Sequence, residues 1–150
     1  MPIPPFDDVG HLPVGEHPTS WHEFKLRYGY NAIRSALIER IEEWLSHIKH
    51  AGSRTVYIDG SFVTAKDHPG DYDACWDFTG VDTALIEPCL LDPTPSGQMA
   101  CKKRFGGDLR PDRANPPGSI MPYVQFFQRD TRMGGRKKGI IRIDLSKDFP

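Results

Sequence analysis

Long apolar stretches are missing from this sequence, and none approaches the roughly 20 residues that a membrane-spanning helix needs. The N-terminal Met1-Pro-Ile-Pro-Pro also lacks the basic and apolar regions of a secretory signal, so we expect a cytoplasmic protein. Cysteine is scarce too. Because Cys75, Cys89 and Cys101 form no Cys-x-x-Cys pair, we expect buried thiols rather than a disulfide framework or a zinc knuckle.

The net charge of the sequence is only −1, but its charged residues are unevenly distributed along the chain. Residues 1–98 carry 15 acidic and 7 basic side chains, whereas residues 99–150 carry 5 acidic and 12 basic ones. The C-terminal third is therefore the candidate polyanion-binding surface, with a solvated face and a charged hairpin tip as the alternative interpretation. Its two basic clusters contain Lys102, Lys103 and Arg104, and Arg136, Lys137 and Lys138.

The length of 150 residues predicts one domain, 1–150, that begins with an extended proline-rich arm at 1–18. We expect the arm to pack on the core through Ile3, Phe6, Leu12 and Val14. Ser20 and Glu23 resemble a capping box that opens a short helix ending at Gly29. The clearest helical pattern follows at 31–50, with one apolar stripe at positions 33, 37, 41, 44, 45 and 48.

The second half of the chain mixes strand and loop signals. After a first strand at Thr55–Asp59, we expect short helical pieces near 81–91, a basic helix at Gln98–Phe105 and a loop at Asp108–Gly118. Strands at Tyr123–Arg129 and Ile140–Leu145 would be joined by a hairpin through Gly134-Gly135. The predicted fold is α+β with two layers, in which a small mixed or antiparallel sheet of about four strands is backed by helices.

The most informative segment joins a strand, a Gly-Ser turn and a pair of carboxylates. Because side chains alternate along a strand, Asp71 and Asp73 would face the same side and could share one hard cation such as Mg²⁺ or Mn²⁺. Gly60 would let a phosphate approach the backbone, and the Ser61 hydroxyl and the Lys66 ammonium could bind its oxygens. The pattern predicts a metal and phosphate site at the ends of two neighbouring strands.

A two-ion site would need a third carboxylate from another strand. Asp144 is the best candidate, because it ends the β-branched run that begins at Gly139. Asp77 is a rival on the same strand face as Asp73. Four residues of strand, roughly 13 Å, separate the two and make Asp77 the poorer choice.

Gly60-Ser61 followed by Asp71-Tyr72-Asp73 resembles the signature of the DNA polymerase beta-like nucleotidyltransferase superfamily, especially its minimal members. The wider chain is similar to a family of short, nucleotidyltransferase-like prokaryotic proteins. The segments that carry this wider resemblance are Ile3-Pro-Pro-Phe-Asp, Leu12-Pro, His17-Pro18-Thr-Ser-Trp21, Asp59-Gly-Ser-Phe-Val-Thr, Gly106-Gly-Asp-Leu, Phe126-Phe-Gln and Gly135-Arg-Lys-Lys-Gly-Ile.

The resemblance implies a nucleotidyltransferase that moves a nucleoside monophosphate from Mg-NTP to a hydroxyl of an RNA, such as a tRNA-like acceptor, or of a protein. It implies Asp71, Asp73 and, by position, Asp144 as metal ligands, and it implies a setting in a toxin–antitoxin or phage-defence module. Two alternatives stay open. One is a catalytically inactive nucleotide- or RNA-binding module, and the other is an antitoxin-like protein that binds a partner.

Overall fold

A computed structural model describes the chain at residues 3–111, 129–130, 136–137 and 139–150. This part of the chain has a mixed α+β fold. Its helices are α1 (Trp21–Tyr28), α2 (Ala32–His50) and α3 (Pro95–Phe105). Its strands are β1 (Gly15–Pro18), β2 (Thr55–Asp59), β3 (Tyr72–Trp76), β4 (Gly107–Pro111), β5 (Arg129–Asp130), β6 (Arg136–Lys137) and β7 (Gly139–Asp144).

Five of these strands form one mixed sheet in the order β1-β7-β2-β3-β4. The three central strands β7, β2 and β3 are antiparallel to their neighbours within that group, whereas the edge strands β1 and β4 pair in parallel. The expectation of a small sheet backed by helices is confirmed, although the sheet has five strands rather than about four. The two edge strands, β1 and β4, were not expected, because they come from segments with proline and glycine, which carry weak strand signals.

One face of the sheet belongs to the hydrophobic core. Alternating residues of the central strands are fully buried there, among them Val56, Ile58, Ile141 and Ile143. Helix α2 packs on this face, and the Trp44 ring lies 6.1 Å from the ring of Tyr72 on β3. Since a fully buried aliphatic side chain stabilises the fold by roughly 1.5–3 kcal/mol, this layer fixes which strand residues point away from the core.

Helix α2 begins and ends where the sequence predicts. The Asn31 side chain accepts a hydrogen bond from the amide of Arg34, and Gly52 follows the helix with a φ of +105°. The apolar stripe is buried from position 37 onward, whereas Ile33 in the first turn is 46% exposed. The stripe therefore acts as the core face of the helix over its last four turns.

The N-terminal arm behaves largely as expected. Ile3 and Leu12 are buried and Phe6 packs against the core, but Val14 is 61% exposed, so its predicted contact is wrong. The arm then adds β1 beside β7. Its last residue, Pro18, lies in an edge strand, where a missing amide proton is tolerated.

Helix α1 has the predicted cap, because the Ser20 hydroxyl accepts a hydrogen bond from the Glu23 amide at 3.1 Å. The Glu23 carboxylate does not complete a reciprocal capping box. It accepts instead from the amide of Ile3 and the hydroxyl of Thr19, which ties the arm to the helix. Gly29 ends the helix as expected.

The region around α3 corrects two sequence expectations. The helix begins at Pro95 rather than Gln98, because Thr94 caps it and proline suits the first helical turn. Residues 108–111, expected to begin a long loop, belong to β4 instead. The predicted strand Tyr123–Arg129 lies outside the described residues except for residue 129. The rest of the predicted loop, residues 112–118, also lies outside them.

Two smaller expectations are confirmed, the second of them only in part. Short 3₁₀ turns occupy Thr83–Leu85 and Pro88–Leu91. All three cysteines are free thiols, with Cys75 and Cys101 buried and Cys89 partly exposed. Within the described residues, no helix is both long and apolar enough to cross a membrane.

Candidate functional site

Three aspartates lie in a row across three neighbouring strands. Asp59 at the end of β2 is the register partner of Asp73 on β3, and Asp73 is the register partner of Asp108 on β4. Directly paired residues point to the same side of a sheet, and neighbouring strands are about 4.8 Å apart. The three carboxylates therefore lie side by side at one end of these strands. They are on the face of the sheet opposite the one that holds the aliphatic core.

The turn after β2 touches this row. Gly60 has φ +79° and ψ −166°, a conformation that is accessible almost only to glycine. A Cβ atom built on Gly60 would lie 2.0 Å from Oδ2 of Asp73, closer than any side chain permits. A glycine is thus required both by the backbone angle and by the carboxylate that occupies the space beside it.

The residues after Gly60 are held by the helices. Ser61–Val63 forms a 3₁₀ turn, and the ring of Phe62 stacks on Phe24 of α1 at 5.8 Å. The buried guanidinium of Arg34 donates hydrogen bonds to four backbone carbonyls. These belong to Tyr28, Phe62, Thr64 and Lys66.

This cation fixes the path of the segment from Gly60 to Lys66 through hydrogen bonds to backbone carbonyls. A planar guanidinium with five donors suits a task that a single ammonium group could not perform. Desolvation by burial lowers the pKa of Arg34 from its ordinary value. The group stays cationic, because an arginine in a protein is always protonated.

A pocket of about 270 Å³ opens beside the aspartate row. Asp71 and Asp108 contribute its carboxylates, and one face of α3 supplies the opposite wall. That face consists of positions 95, 98, 99 and 102, which helical periodicity places on one side of the helix. The lining residues of α3 are Pro95, Gln98, Met99 and Lys102.

Lys102 forms an ion pair inside this pocket. Its Nζ atom lies 2.8 Å from Oδ2 of Asp71, and the two side chains are 60% and 30% exposed. Hydrogen bonding and charge attraction from Asp71 raise the pKa of Lys102, and the charges of Asp108 and Asp73 add to that effect. The lysine therefore lies within the electrostatic reach of three carboxylates.

The structure does not bring Asp144 to the aspartate pair. On β2, Asp59 pairs with Asp73 whereas Thr55 pairs with Asp144, so four residues, roughly 13 Å of strand, separate the two levels. The Asp144 carboxylate accepts hydrogen bonds from the amide and hydroxyl of Ser146, at 2.9 and 2.6 Å. These bonds lower its pKa and explain the residue as part of a turn.

Asp77, the rival candidate, lies at the same remote end, where its amide donates to the carbonyl of Thr55. Lys66 is held through its main chain by Arg34 and is not among the residues that line the pocket. Of the expected site residues, Asp73 and Gly60 are in contact, Ser61 follows directly, and Asp71 lies at the pocket.

The first basic cluster is not a uniform cationic patch. Lys102 pairs with Asp71, and Arg104 pairs with Glu43 and Glu87 at 2.5 and 3.1 Å, whereas Lys103 is exposed. In the second cluster Arg136 and Lys137 form β6, which pairs with β5. The side chains of that cluster, Arg136, Lys137 and Lys138, lie outside the described part of the chain.

Sequence reasoning missed Asp59 and Asp108 as members of the row. Asp59 directly precedes the Gly-Ser turn, and Asp108 follows Gly106, which caps α3, and Gly107, which begins β4. The signal for Asp108 was the polar and apolar alternation of Asp108, Leu109 and Arg110 before a proline. That alternation covers too few residues to predict a strand by itself.

The donor atoms suit a hard divalent cation, because carboxylate oxygens are the ligands that Mg²⁺ prefers. In the described ranges, however, no three histidine, cysteine or acidic side chains lie close enough to hold a metal ion. Asp71 also has the Lys102 ammonium beside it. An ion here would require the carboxylates to turn toward each other and Lys102 to leave Asp71.

The fold and the site define the protein at a coarse level as an α+β protein whose mixed sheet carries a carboxylate row at one edge. The chain belongs to the Family of unknown function (DUF6932), whose family model matches residues 4–144. The match runs from the N-terminal arm to the end of β7 and so includes every helix and strand named above. No curated protein and no solved structure shows significant similarity to the chain.

Proposed function

We propose that the protein is a metal-dependent nucleotidyltransferase that transfers a nucleoside monophosphate from an NTP to a hydroxyl group. The observation that supports this most is the row of Asp59, Asp73 and Asp108 beside the bend at Gly60 and Ser61. Phosphoryl transfer depends on positioning and on neutralising charge, and a bend of this kind combined with clustered carboxylates can serve both needs. The sequence resemblance to minimal nucleotidyltransferases supports the same reaction.

The proposed roles follow from the positions of the groups. Gly60 and Ser61 would hold phosphate oxygens through backbone amides and the serine hydroxyl. Asp71, Asp73 and Asp108 would hold Mg²⁺ or Mn²⁺, which would neutralise charge on the phosphate oxygens. Asp108 replaces Asp144 as the proposed third carboxylate, since it is the direct register partner of Asp73.

The reaction balances with these groups. The acceptor hydroxyl oxygen forms a bond to the α-phosphorus, the bond from that phosphorus to the bridging oxygen of the β-phosphate breaks, and pyrophosphate leaves. The hydroxyl proton passes to a carboxylate of the row. The proposed acceptors are an RNA end, for example a tRNA-like one, or a protein hydroxyl, in the setting of a toxin–antitoxin or phage-defence module.

The test compares Asp73→Asn and Asp108→Asn with Asp144→Asn in an assay for transfer of labelled nucleotide from each NTP to RNA and protein acceptors. We expect the first two substitutions to lower the rate by at least about 100-fold, and Asp144→Asn to retain it. Equal transfer by all three variants would remove the aspartate row from the reaction.

A second candidate is a module that binds nucleotide or RNA without chemistry. It is favoured by the ion pair between Lys102 and Asp71, together with the lack of a converged ion-binding group among the side chains of the described ranges. Such a module would bind NTP in calorimetry with no transfer to any acceptor. The same Asp144→Asn control would bind normally under both candidates.

A further inference from the structure

We propose that Cys89 and Cys101 form a redox-active pair, a modification site at which hydrogen peroxide converts two thiols into one disulfide. Cys89 belongs to the 3₁₀ turn Pro88–Leu91 and Cys101 belongs to α3, and both are free thiols. The inference is independent of the proposed function, because it uses neither the aspartate row nor a nucleotide. It rests on how the turn and the helix lie against each other.

The turn and α3 touch at both of their ends and run in opposite directions. Just before the turn, the Glu87 carboxylate accepts a hydrogen bond from Nε of Arg104 at 3.1 Å. Just after the turn, Asp92 fills the space beside Gly97, where a Cβ atom would collide with it. The first contact lies near the C-terminal end of the helix and the second near its start. The chain therefore reverses its direction between the turn and the helix.

These two contacts place the cysteines at the same level. Cys89 follows Glu87 by two residues, which is roughly 4 Å along a 3₁₀ turn. Cys101 precedes Arg104 by three residues, which is roughly 4.5 Å along an α-helix. Cys101 also lies one helical turn after Gly97 and so on the helix face that meets the turn. In agreement with this placement, the Cys89 thiol is a hydrogen-bond partner of the Cys101 thiol.

The two thiols differ in their access to an oxidant. Cys101 is 1% exposed, whereas Cys89 is only partly buried. Desolvation by burial and, after it, the neighbouring Cys89 thiol raise the pKa of Cys101 above its ordinary value. Since the thiolate is the form that reacts with peroxide, Cys89 reacts first and becomes a sulfenic acid. Cys101 then resolves this sulfenic acid into a disulfide, because its thiol already lies beside it.

The two steps balance in atoms and electrons, with hydrogen peroxide as the oxidant. The Cys89 sulfur bonds to one peroxide oxygen, the O–O bond breaks, and the other oxygen leaves as water with the Cys89 proton. The Cys101 sulfur then bonds to the Cys89 sulfur, the S–O bond breaks, and the hydroxyl leaves as water with the Cys101 proton. Each sulfur gives up one electron to the peroxide. The disulfide ties the turn to α3, which is the helix that supplies one wall of the pocket.

The experiment treats the full chain with hydrogen peroxide, counts its free thiols with a colorimetric reagent and measures its intact mass. We expect the folded protein to lose two of its three thiols and about 2 Da, and dithiothreitol to reverse both changes. Cys75→Ala is the matched control, which should form the same disulfide. Side chains alternate along β3, so Cys75 lies on the sheet face opposite Tyr72, whose hydroxyl donates to the carbonyl of Phe105 in α3.

Two further variants test the order of the steps. In Cys101→Ala, dimedone should trap a sulfenic acid at Cys89, whereas in Cys89→Ala the thiol of Cys101 should stay unlabelled. Thermal unfolding verifies that each variant is folded. In urea the unsubstituted protein should form the disulfide at least about tenfold more slowly, because the two segments that hold the thiols together must then close a flexible loop.

Three results would overturn the inference. They are a folded protein that forms no internal disulfide, a disulfide that disappears in Cys75→Ala, and equal rates of pairing with and without urea. Dimedone labelling of Cys101 in Cys89→Ala, without labelling of Cys89 in Cys101→Ala, would overturn the assignment of Cys89 as the thiol that meets the peroxide.

Discussion

Gly60 and Asp73 are in direct contact across strands β2 and β3, and the Asp73 carboxylate fills the space where a side chain at position 60 would begin. The nearest approach, 2.0 Å from a built Cβ to Oδ2, leaves no room for even a methyl group. The glycine also has a backbone angle that L-residues avoid. The turn and the carboxylate therefore depend on each other.

We predict that Gly60→Ala destabilises the protein by about 1–3 kcal/mol or displaces Asp73, because the methyl group adds both backbone strain and a collision. Urea unfolding measures the loss. Gly70→Ala is the matched control, since a Cβ there meets no atom within 4 Å and no positive φ accompanies it. Equal stability of the two variants would contradict the geometry of the turn.

Arg34 offers a second test of how the turn is held. Arg34→Met would leave up to four backbone carbonyls short of a donor, and we predict a loss of about 3 kcal/mol in the free energy of unfolding. Arg34→Lys should rescue only part of the loss, because one ammonium group cannot reach the same set of acceptors.

The control for Arg34 is Arg54→Met, which changes an exposed arginine just before β2. Substitutions at such surface positions usually stay within about 0.5 kcal/mol. Amide hydrogen exchange should also become faster for residues 62–66 in Arg34→Met and stay unchanged in Arg54→Met. A similar exchange rate in both variants would show that α2 does not hold the turn.

The local parts of the fold could be predicted from the sequence, because their signals are local. The Asn31 cap and the apolar stripe define α2, and the β-branched run defines β2. The pair Asp71 and Asp73 was found from the alternation of side chains along one strand. These features depend on neighbours within a few residues of each other.

The proposed third carboxylate, Asp108, could not be predicted, because its place depends on which strands pair and in what register. Asp144 ends one strand and Asp108 lies near the start of another, and only the sheet order places Asp108 beside Asp73 and Asp144 beside Thr55. A parallel pairing through α3, such as that of β3 and β4, leaves no short turn from which the register could be read. The contact between Lys102 and Asp71 has the same origin.

We predict that Asp144→Ala lowers stability by about 1 kcal/mol near neutral pH, because it removes the acceptor for the amide and hydroxyl of Ser146. The fold holds the pKa of Asp144 below its ordinary value of 3.8, so the stabilising effect of the carboxylate is present above that pH. The effect is lost as the pH falls through the lower pKa of the folded state. The difference between the variant and the unsubstituted protein should therefore shrink in acid, and urea unfolding at several pH values measures it.

The same substitution separates structure from function at this end of the sheet. Asp144→Ala should leave Mn²⁺ and NTP affinities unchanged, since Asp144 lies at the level of Thr55 and not of Asp73. A loss of Mn²⁺ affinity comparable to that of Asp73→Asn would contradict this separation and restore Asp144 as a ligand.

A histidine away from the candidate site, His47, leads us to predict that the stability of the fold depends on pH. Its Nε2 atom accepts a hydrogen bond from the Glu87 amide at 3.1 Å, a role that requires the neutral ring. Desolvation by burial lowers the pKa of His47 from its ordinary value of 6.5, although the charge of Glu87 opposes that shift. Protonation would therefore break a contact between α2 and the 3₁₀ turn at Pro88–Leu91.

The sign of the effect follows from linkage. Because the folded protein binds this proton less readily than the unfolded chain, the stabilisation is complete above pH 6.5 and is lost as the pH falls through the lower pKa of the folded state. We predict that His47→Gln, whose side-chain oxygen can accept from the same amide at any pH, flattens the stability profile in this interval. His22→Gln is the control, because His22 is exposed on α1, is not among the groups whose charges act on His47, and should leave the slope unchanged. Identical slopes for the His47 variant and the unsubstituted protein would show that the ring does not contribute to the pH dependence.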